Sequence, residues 1–354
     1  MNNLVIIGNG FDLAHNMKTS YNHFIEYLID SHIKSNNFND IFDFNKYRCT
    51  DIDNFRVSVK DQKILRENFK NKFIEYLIYD YTLKNWSDIE SVYYKQLITS
   101  NKQAYHYNKP YKLNEEFETL KNYLAGYLKM QEKEGKPIEI YKDFFKYFES
   151  YETKILNFNY TNTLKNLYSN EINVNNVIHI HGELSTPINP IVFGYAAMDD
   201  EARRLIDKQE NEYMRNIKKQ LYKHTENEHL LSNYLNGSQK INVSILGHSC
   251  GISDKLILNQ ILNHKNINSI CTYYFNDYEQ YFQTQVNIDR IMNDDEKFRK
   301  LVIDYNTCIR MPQYDDTRKQ NEDFIKKYNV LRRKQIGRLG KIGSSVALGP
   351  RVGG

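Results

Sequence analysis

No run in this 354-residue chain approaches the roughly 18–20 consecutive apolar residues that a membrane-spanning helix needs. The opening run Leu4-Val5-Ile6-Ile7 is too short for a secretory leader, has no basic flank and meets Gly8 at once. Both absences point to a cytoplasmic protein with no membrane partner. Cysteine is scarce. Cys49, Cys250, Cys271 and Cys308 are the full set, and none lies within four residues of another. That spacing speaks against zinc-ligand pairs, and the density against a disulfide scaffold. Buried or incidental free thiols are the expectation.

A basic excess is absent too, once the last residues are set aside. Lys and Arg outnumber Asp and Glu by 48 to 44, but residues 331–354 carry six of the basic residues and no acid. The remainder holds 42 basic against 44 acidic residues, a net of −2, which gives no case for nucleic-acid binding. That segment also holds six of the 15 glycines. It reads as a disordered basic tail or an added extension, outside the single domain expected over residues 1–330. Internal repeats and low-complexity runs are missing before it.

What is present suffices for a packed core: 40% of residues are apolar and 26% charged. Short buried strands are expected at 3–7, 154–159, 177–181, near 190–194, at 241–246 and at 267–275. A helix is expected after Ser20, an N-cap residue, with Phe24 and Leu28 on one face. Residues 35–56, rich in Asn and Asp, read as a loop. Leu65, Phe69, Phe73, Tyr76 and Leu77 form one helical stripe; Leu113, Phe117, Leu120, Leu124, Tyr127 and Leu128 form another. Helical insertions are therefore placed at about 58–150 and 199–238, and a capped helix at Ser253–His264. Strands alternating with helices argue for an α/β fold with a parallel sheet covered on both faces.

Four segments carry candidate chemistry. Leu4–Asp12 runs from a strand into Gly8-Asn9-Gly10, where glycine lets backbone approach a phosphate. Leu13 stands where a dinucleotide fingerprint has its third glycine, so a tight turn without a ligand stays open. Asp12 either accepts a ribose hydroxyl or caps its own turn. Ile155–Leu164 ends a strand in amides and hydroxyls, a turn or a site at a strand's carboxyl end. In Val177–Gly182, strand alternation puts His179 and His181 on one face, with Gly182 leaving room beside His181. Histidine suits general base work near neutrality. A structural role is the alternative, more so for His179, and no third ligand supports a metal. Gly247-His248-Ser249-Cys250-Gly251 fits the Gly-x-Ser-x-Gly pattern of a serine nucleophile, but the helix that should start at the serine is delayed to Ser253.

In order and wording these segments resemble the AbiH family of bacteriophage abortive-infection proteins. Gly8–His15 matches its Gly-Asn-Gly-Phe-Asp-Leu-Ala-His opening, and Thr19-Ser20-Tyr21 its following Thr-Ser-Tyr. Asn16-Met17-Lys18 departs from the Gly and small or apolar residues usual between them. Segments 157–161, 179–182, 193–195 and 247–249 fit as well, so the resemblance spans residues 4 to about 262. A more distant resemblance is to sirtuin-like NAD-consuming domains, through Phe158-Asn159-Tyr160-Thr161, Ile180-His181-Gly182 and Gly247-His248-Ser249. Here Thr161 replaces an acid, Gly10-Phe11-Asp12 replaces a small-residue turn, and the zinc cysteines of the deacetylases are missing.

The resemblances imply a Rossmann-like (sirtuin-like) parallel sheet with large helical insertions, and NAD as substrate of a phage-defence effector. Asn159 and His181 would be the catalytic pair. Gly8, Asn9, Gly10, Asp12, Tyr160, Thr161, Gly247 and Ser249 would contact the nucleotide. The chemistry implied is hydrolysis of NAD to nicotinamide and ADP-ribose. A non-catalytic nucleotide sensor is the second reading, and a nuclease effector the third, which the charge and the lack of paired carboxylates disfavour. A phage-derived trigger and self-association stay open as partners.

Overall fold

A computed structural model describes residues 2–35, 41, 66–80, 83, 86–99, 110–148, 152–196, 204, 207 and 210–344. Six strands form one sheet: β1 (Asn2–Ile7), β2 (Thr153–Asn157), β3 (Val177–His179), β4 (Ile241–Leu246), β5 (Ile267–Tyr274) and β6 (Ile309–Arg310). Their order is β3-β2-β1-β4-β5-β6. Every pairing is parallel. This is the doubly wound, Rossmann-like order, in which the chain builds outward from β1 in one direction and from β4 in the other. All residues of β1, β4 and β5 are buried, as expected of parallel strands covered on both faces.

The chain divides into two compact units: residues 1–17, 134–191 and 225–354, which contain the sheet, and residues 18–133 and 192–224, which are mostly helical. The helical unit holds Tyr21–Ser35, Lys72–Tyr79, Trp86–Thr99 and Pro110–Gln131. Asn71 caps Lys72–Tyr79 by accepting from Ile74 N at 2.8 Å, so the expected stripe is interrupted: Arg66 and Glu67 are helical, residues 68–71 are not, and Leu65 lies outside the described residues. An aromatic stack fills this unit, with Tyr93 against Phe117 (4.0 Å between centroids) and Phe117 against Phe193 (5.2 Å). Glu90 is its buried electrostatic centre. It pairs with Lys218 Nζ at 2.9 Å and accepts from Gly194 N at 3.1 Å.

Two helices expected within insertions lie in the sheet unit instead. Glu139–Phe148 places Tyr141, Phe144 and Phe145 in one core cluster with Val5, Ile7, Phe11 and Tyr273. Asn227–Leu235 buries Leu231 and Leu235, and Tyr234 Oη donates to Asn3 O at 2.7 Å. The strand expected near 190–194 is absent. Just beyond it Tyr195 makes one isolated bridge, to Ile217, and from Val192 to His224 the chain belongs to the helical unit. β2 stops at Asn157 and β3 at His179, each two residues short of expectation. Ser253–His264 resolves into a 3-10 turn, Ile252–Asp254, followed by the helix Lys255–Leu262.

The break expected at residue 331 does not occur. One helix runs from Arg318 to Ser344, with Leu331 and Gln335 buried. Gln335 Nε2 donates to Ser269 Oγ at 3.2 Å and Lys334 Nζ to Thr307 Oγ1 at 2.6 Å. Residues 345–354 lie outside the described residues, as do Cys49 and nearly all of the loop expected at 35–56. Cys250, Cys271 and Cys308 are buried thiols outside any disulfide. Among the described residues no helix is long and apolar enough to cross a membrane.

Candidate active site

The sheet's register gathers the four sequence motifs. Ile7 pairs with Asn157 on one side and with Leu246 on the other, and Asn157 pairs with His179. The segments that follow β1, β2, β3 and β4 therefore leave the same edge of the sheet together. That edge, where β1 and β4 part company, is where open α/β sheets place their ligands.

The turns after β1 and β4 interlock through glycine. Gly8 N donates to Leu246 O at 3.1 Å and Gly10 N to Gly247 O at 2.8 Å. A Cβ on Gly8 would lie 2.7 Å from His248 Cα, and one on Gly10 2.7 Å from Gly247 Cα. Gly247 has φ +66°, and a Cβ there would lie 2.3 Å from Phe11 N. The Gly-x-Gly expected to cradle a phosphate is occupied by another turn of the same chain, and both of its glycine N–H groups are donated within the protein.

A second tie joins the turns after β1 and β2. Asp12 is buried, and its carboxylate accepts from Thr161 Oγ1 at 2.6 Å and Thr163 Oγ1 at 2.7 Å. Asn159 Nδ2 donates to Gly8 O at 3.0 Å, and Asn159 N to Asn157 Oδ1 at 3.0 Å. So the hydroxyls that meet Asp12 here are the protein's own, and the Asn159 amide reaches across to the glycine turn. His15, the end of the first motif, is also structural. Its Nδ1 lies 2.6 Å from Phe11 O and its Nε2 2.6 Å from Tyr168 Oη. Burial lowers its pKa to about 4, against a weaker opposing pull from the Phe11 carbonyl.

His179 and His181 part ways. His179 ends β3, and Asn157 Nδ2 lies 3.3 Å from its Nδ1. Burial is the main reason its pKa falls below the ordinary value; the Glu183 carboxylate pulls the other way. His181 sits in the turn beyond the strand, where Ile180 N donates to Asn157 O and Gly182 N to His179 O. The two rings therefore do not share a strand face, as the alternation had predicted. Gly182 is obligatory there: its φ is +84° and a Cβ would lie 2.1 Å from Pro190 O.

His181 Nε2 lies 3.2 Å from Asp254 Oδ1, and His248 Nε2 lies 3.4 Å from Asp254 Oδ2. One carboxylate, 13% exposed, thus faces two imidazoles, one from the turn after β3 and one from the turn after β4. Phe158 packs against both rings, at 4.9 Å from His181 and 4.3 Å from His248, and Tyr160 stacks on His181 at 6.2 Å. His248 Nδ1 accepts from Cys250 N at 3.0 Å.

Asp254, His248 and Phe158 were not among the residues expected to act. His248 and Asp254 stand in the fourth motif, where the glycines and Ser249 drew attention. The usable signal was a lone carboxylate at the end of a strand-turn segment that also carries a histidine. Ser249 is exposed and the α-helix begins only at Lys255, so no nucleophile elbow forms. Burial raises the Cys250 thiol well above its ordinary pKa, which keeps it protonated and unreactive. Among the described residues no group of three or more His, Cys, Asp or Glu is placed to hold a metal ion.

A family model described as "Bacteriophage abortive infection AbiH" matches residues 4–277. No curated protein and no solved structure matches the chain.

Proposed function

Because the chain belongs to the AbiH family, whose role is bacteriophage abortive infection, we propose that it is an effector that hydrolyses NAD to nicotinamide and ADP-ribose, with His181 as general base. The observation that carries this reading is the placement of His181 against Asp254 at the edge where β1 and β4 part. In the reaction, the bond between the ribose C1′ and the nicotinamide nitrogen breaks, and its electron pair leaves with nicotinamide. Water attacks the oxocarbenium-like carbon and gives a proton to His181. A general base of this kind is typically worth ~10²–10⁴-fold.

The glycine turns bear on how the dinucleotide is held. With Gly8 N and Gly10 N already donated, the pyrophosphate falls to Asn9, half-buried, and Ser249, exposed. Gly8, Gly10 and Gly247 contribute by letting the two turns close on each other. Asp12 and Thr161 act by bracing the turn that carries Asn159 and Tyr160 rather than by meeting ribose. Asn159 orients the ribose or the water, and Tyr160 lies beside the reacting ring through its contact with His181. Stopping the cell's NAD-dependent metabolism before phage release is the defence such chemistry provides.

Purified protein incubated with NAD, with nicotinamide followed by chromatography, tests this. Release is expected from the wild type and a loss of at least a hundredfold in His181→Ala. If the folded wild type releases no nicotinamide and millimolar NAD leaves its Tm unmoved, NAD is not the ligand.

A further inference from the structure

We infer that Asp254 is a positioning residue that fixes both neighbouring histidines in the tautomer that carries its proton on Nε2. This deepens the hydrolytic reading and rests on it where His181 is taken as the base. The tautomers themselves follow from the geometry alone.

An ionised carboxylate only accepts hydrogen bonds. Asp254 presents Oδ1 to His181 Nε2 at 3.2 Å and Oδ2 to His248 Nε2 at 3.4 Å. A lone pair on either nitrogen would face another lone pair across that gap, so each Nε2 carries a proton. For His248 a second contact gives the same answer independently. Cys250 N–H points at Nδ1 from 3.0 Å, which requires a lone pair there. Both nitrogens of His248 are thereby engaged by the protein. His181, with its proton on Nε2, has its lone pair on Nδ1.

The surroundings are arranged for this. Cys250 is a non-glycine residue at φ +53°, a left-handed conformation that L-residues rarely adopt. That strain occurs at the residue whose N–H meets the His248 ring. Asp254 is placed by the 3-10 turn Ile252–Asp254, through Asp254 N donating to Gly251 O at 3.1 Å. Phe158 holds both ring planes at once. When His181 Nδ1 takes a proton, the Asp254 carboxylate already facing Nε2 stabilises the imidazolium, as the aspartate does in a hydrolytic triad. Asp254 touches no reacting atom; it acts through His181.

The test is the ring nitrogen spectrum of ¹⁵N-histidine-labelled, full-length protein at neutral pH, with resonances assigned by single substitutions. Wild type is expected to show His181 and His248 both protonated at Nε2. In Asp254→Asn, His181 is expected to leave the pure Nε2–H form, whereas His248 keeps it through the Cys250 N–H. These spectra need no substrate, so they stand or fall apart from the identity of NAD as ligand. An Nδ1–H form of His181 in the wild type would overturn the assignment, as would a His181 tautomer indifferent to Asp254→Asn. With turnover measured, Asp254→Asn is expected to lower kcat at least tenfold with KM within threefold, and Asp254→Glu to restore part of it. His181→Asn should cost at least ten times more in kcat than His248→Asn, which keeps an acceptor for Cys250 N–H. The reverse ranking would move the base to His248.

Discussion

Each unit of this protein contains a carboxylate facing two partners, and the difference between them separates structure from site. In the helical unit Glu90 is 6% exposed and meets an ammonium that is 1% exposed, Lys218, together with the backbone of Gly194. In the sheet unit Asp254 is 13% exposed and meets two imidazoles, groups suited to exchanging protons near neutrality. Glu90 closes a dry contact between Trp86–Thr99 and the segment that carries Phe193-Gly194-Tyr195. Gly194 fits there because a Cβ would lie 2.0 Å from Asn216 O. The Phe-Gly-Tyr segment of the family pattern thus serves packing, and the His-Gly and Gly-His segments bring two imidazoles to Asp254.

Breaking the sealed pair should cost most. Lys218→Met leaves a buried carboxylate without its cation, and a loss of about 3–5 kcal/mol in urea unfolding is expected. Adding Glu90→Gln, which keeps an acceptor for Gly194 N, should recover most of that loss. If the single and double variants unfold alike, Glu90 is not the centre it is taken to be.

His15 supplies the next effect, through pH. It is buried and its folded pKa is about 4 against 6.5 unfolded, so as pH falls the unfolded chain takes up the proton first. Its contribution is complete above pH 6.5, drains between 6.5 and about 4, and is level below. The total is on the order of 3 kcal/mol. His15→Gln takes up no proton, so the difference between its stability and that of the wild type should shrink across that window. A constant difference would mean that His15 takes up its proton at the same pH in the folded and unfolded chain.

Gly182→Ala must accommodate both a positive φ and the Pro190 carbonyl, and about 2 kcal/mol of destabilisation is expected in thermal unfolding. It should also impair turnover, because the turn carries His181. Asp254→Asn marks the other end of the scale. Asn keeps the shape and one acceptor, so stability should shift by about 1 kcal/mol or less while kcat falls. A large loss of stability there would make Asp254 a second Glu90, and the contrast between the units would dissolve.

The strands and the motifs at their ends were legible because a buried parallel strand is an unbroken apolar run closed by glycine or a polar turn. β6 was not, since two residues carry no pattern. The last helix was hidden by its composition: Phe324, Tyr328, Leu331 and Gln335 recur at helical spacing across the expected break, among basic residues and glycines. At the site, His181 and Asn159 stood out by type and position. Asp254 did not, being one of 44 acidic residues and far along the chain from the histidine it faces. Gly8 and Gly10 show the converse limit. Sequence reveals that something must approach them closely, but not whether it is a phosphate or another turn.

The order of the strands also sets a timetable. β1 lies at the middle of the sheet, yet its neighbour β4 begins roughly 230 residues later in the chain. At ~5–20 residues per second of synthesis, the ribosome takes on the order of 10–50 s to deliver that partner. Throughout that interval the run Leu4–Ile7 has an unpaired edge, and Asp254 does not yet exist to face His181. The nascent chain thus carries an exposed apolar strand edge until β4 arrives, and the end of the sheet that gathers the four turns is complete only after that.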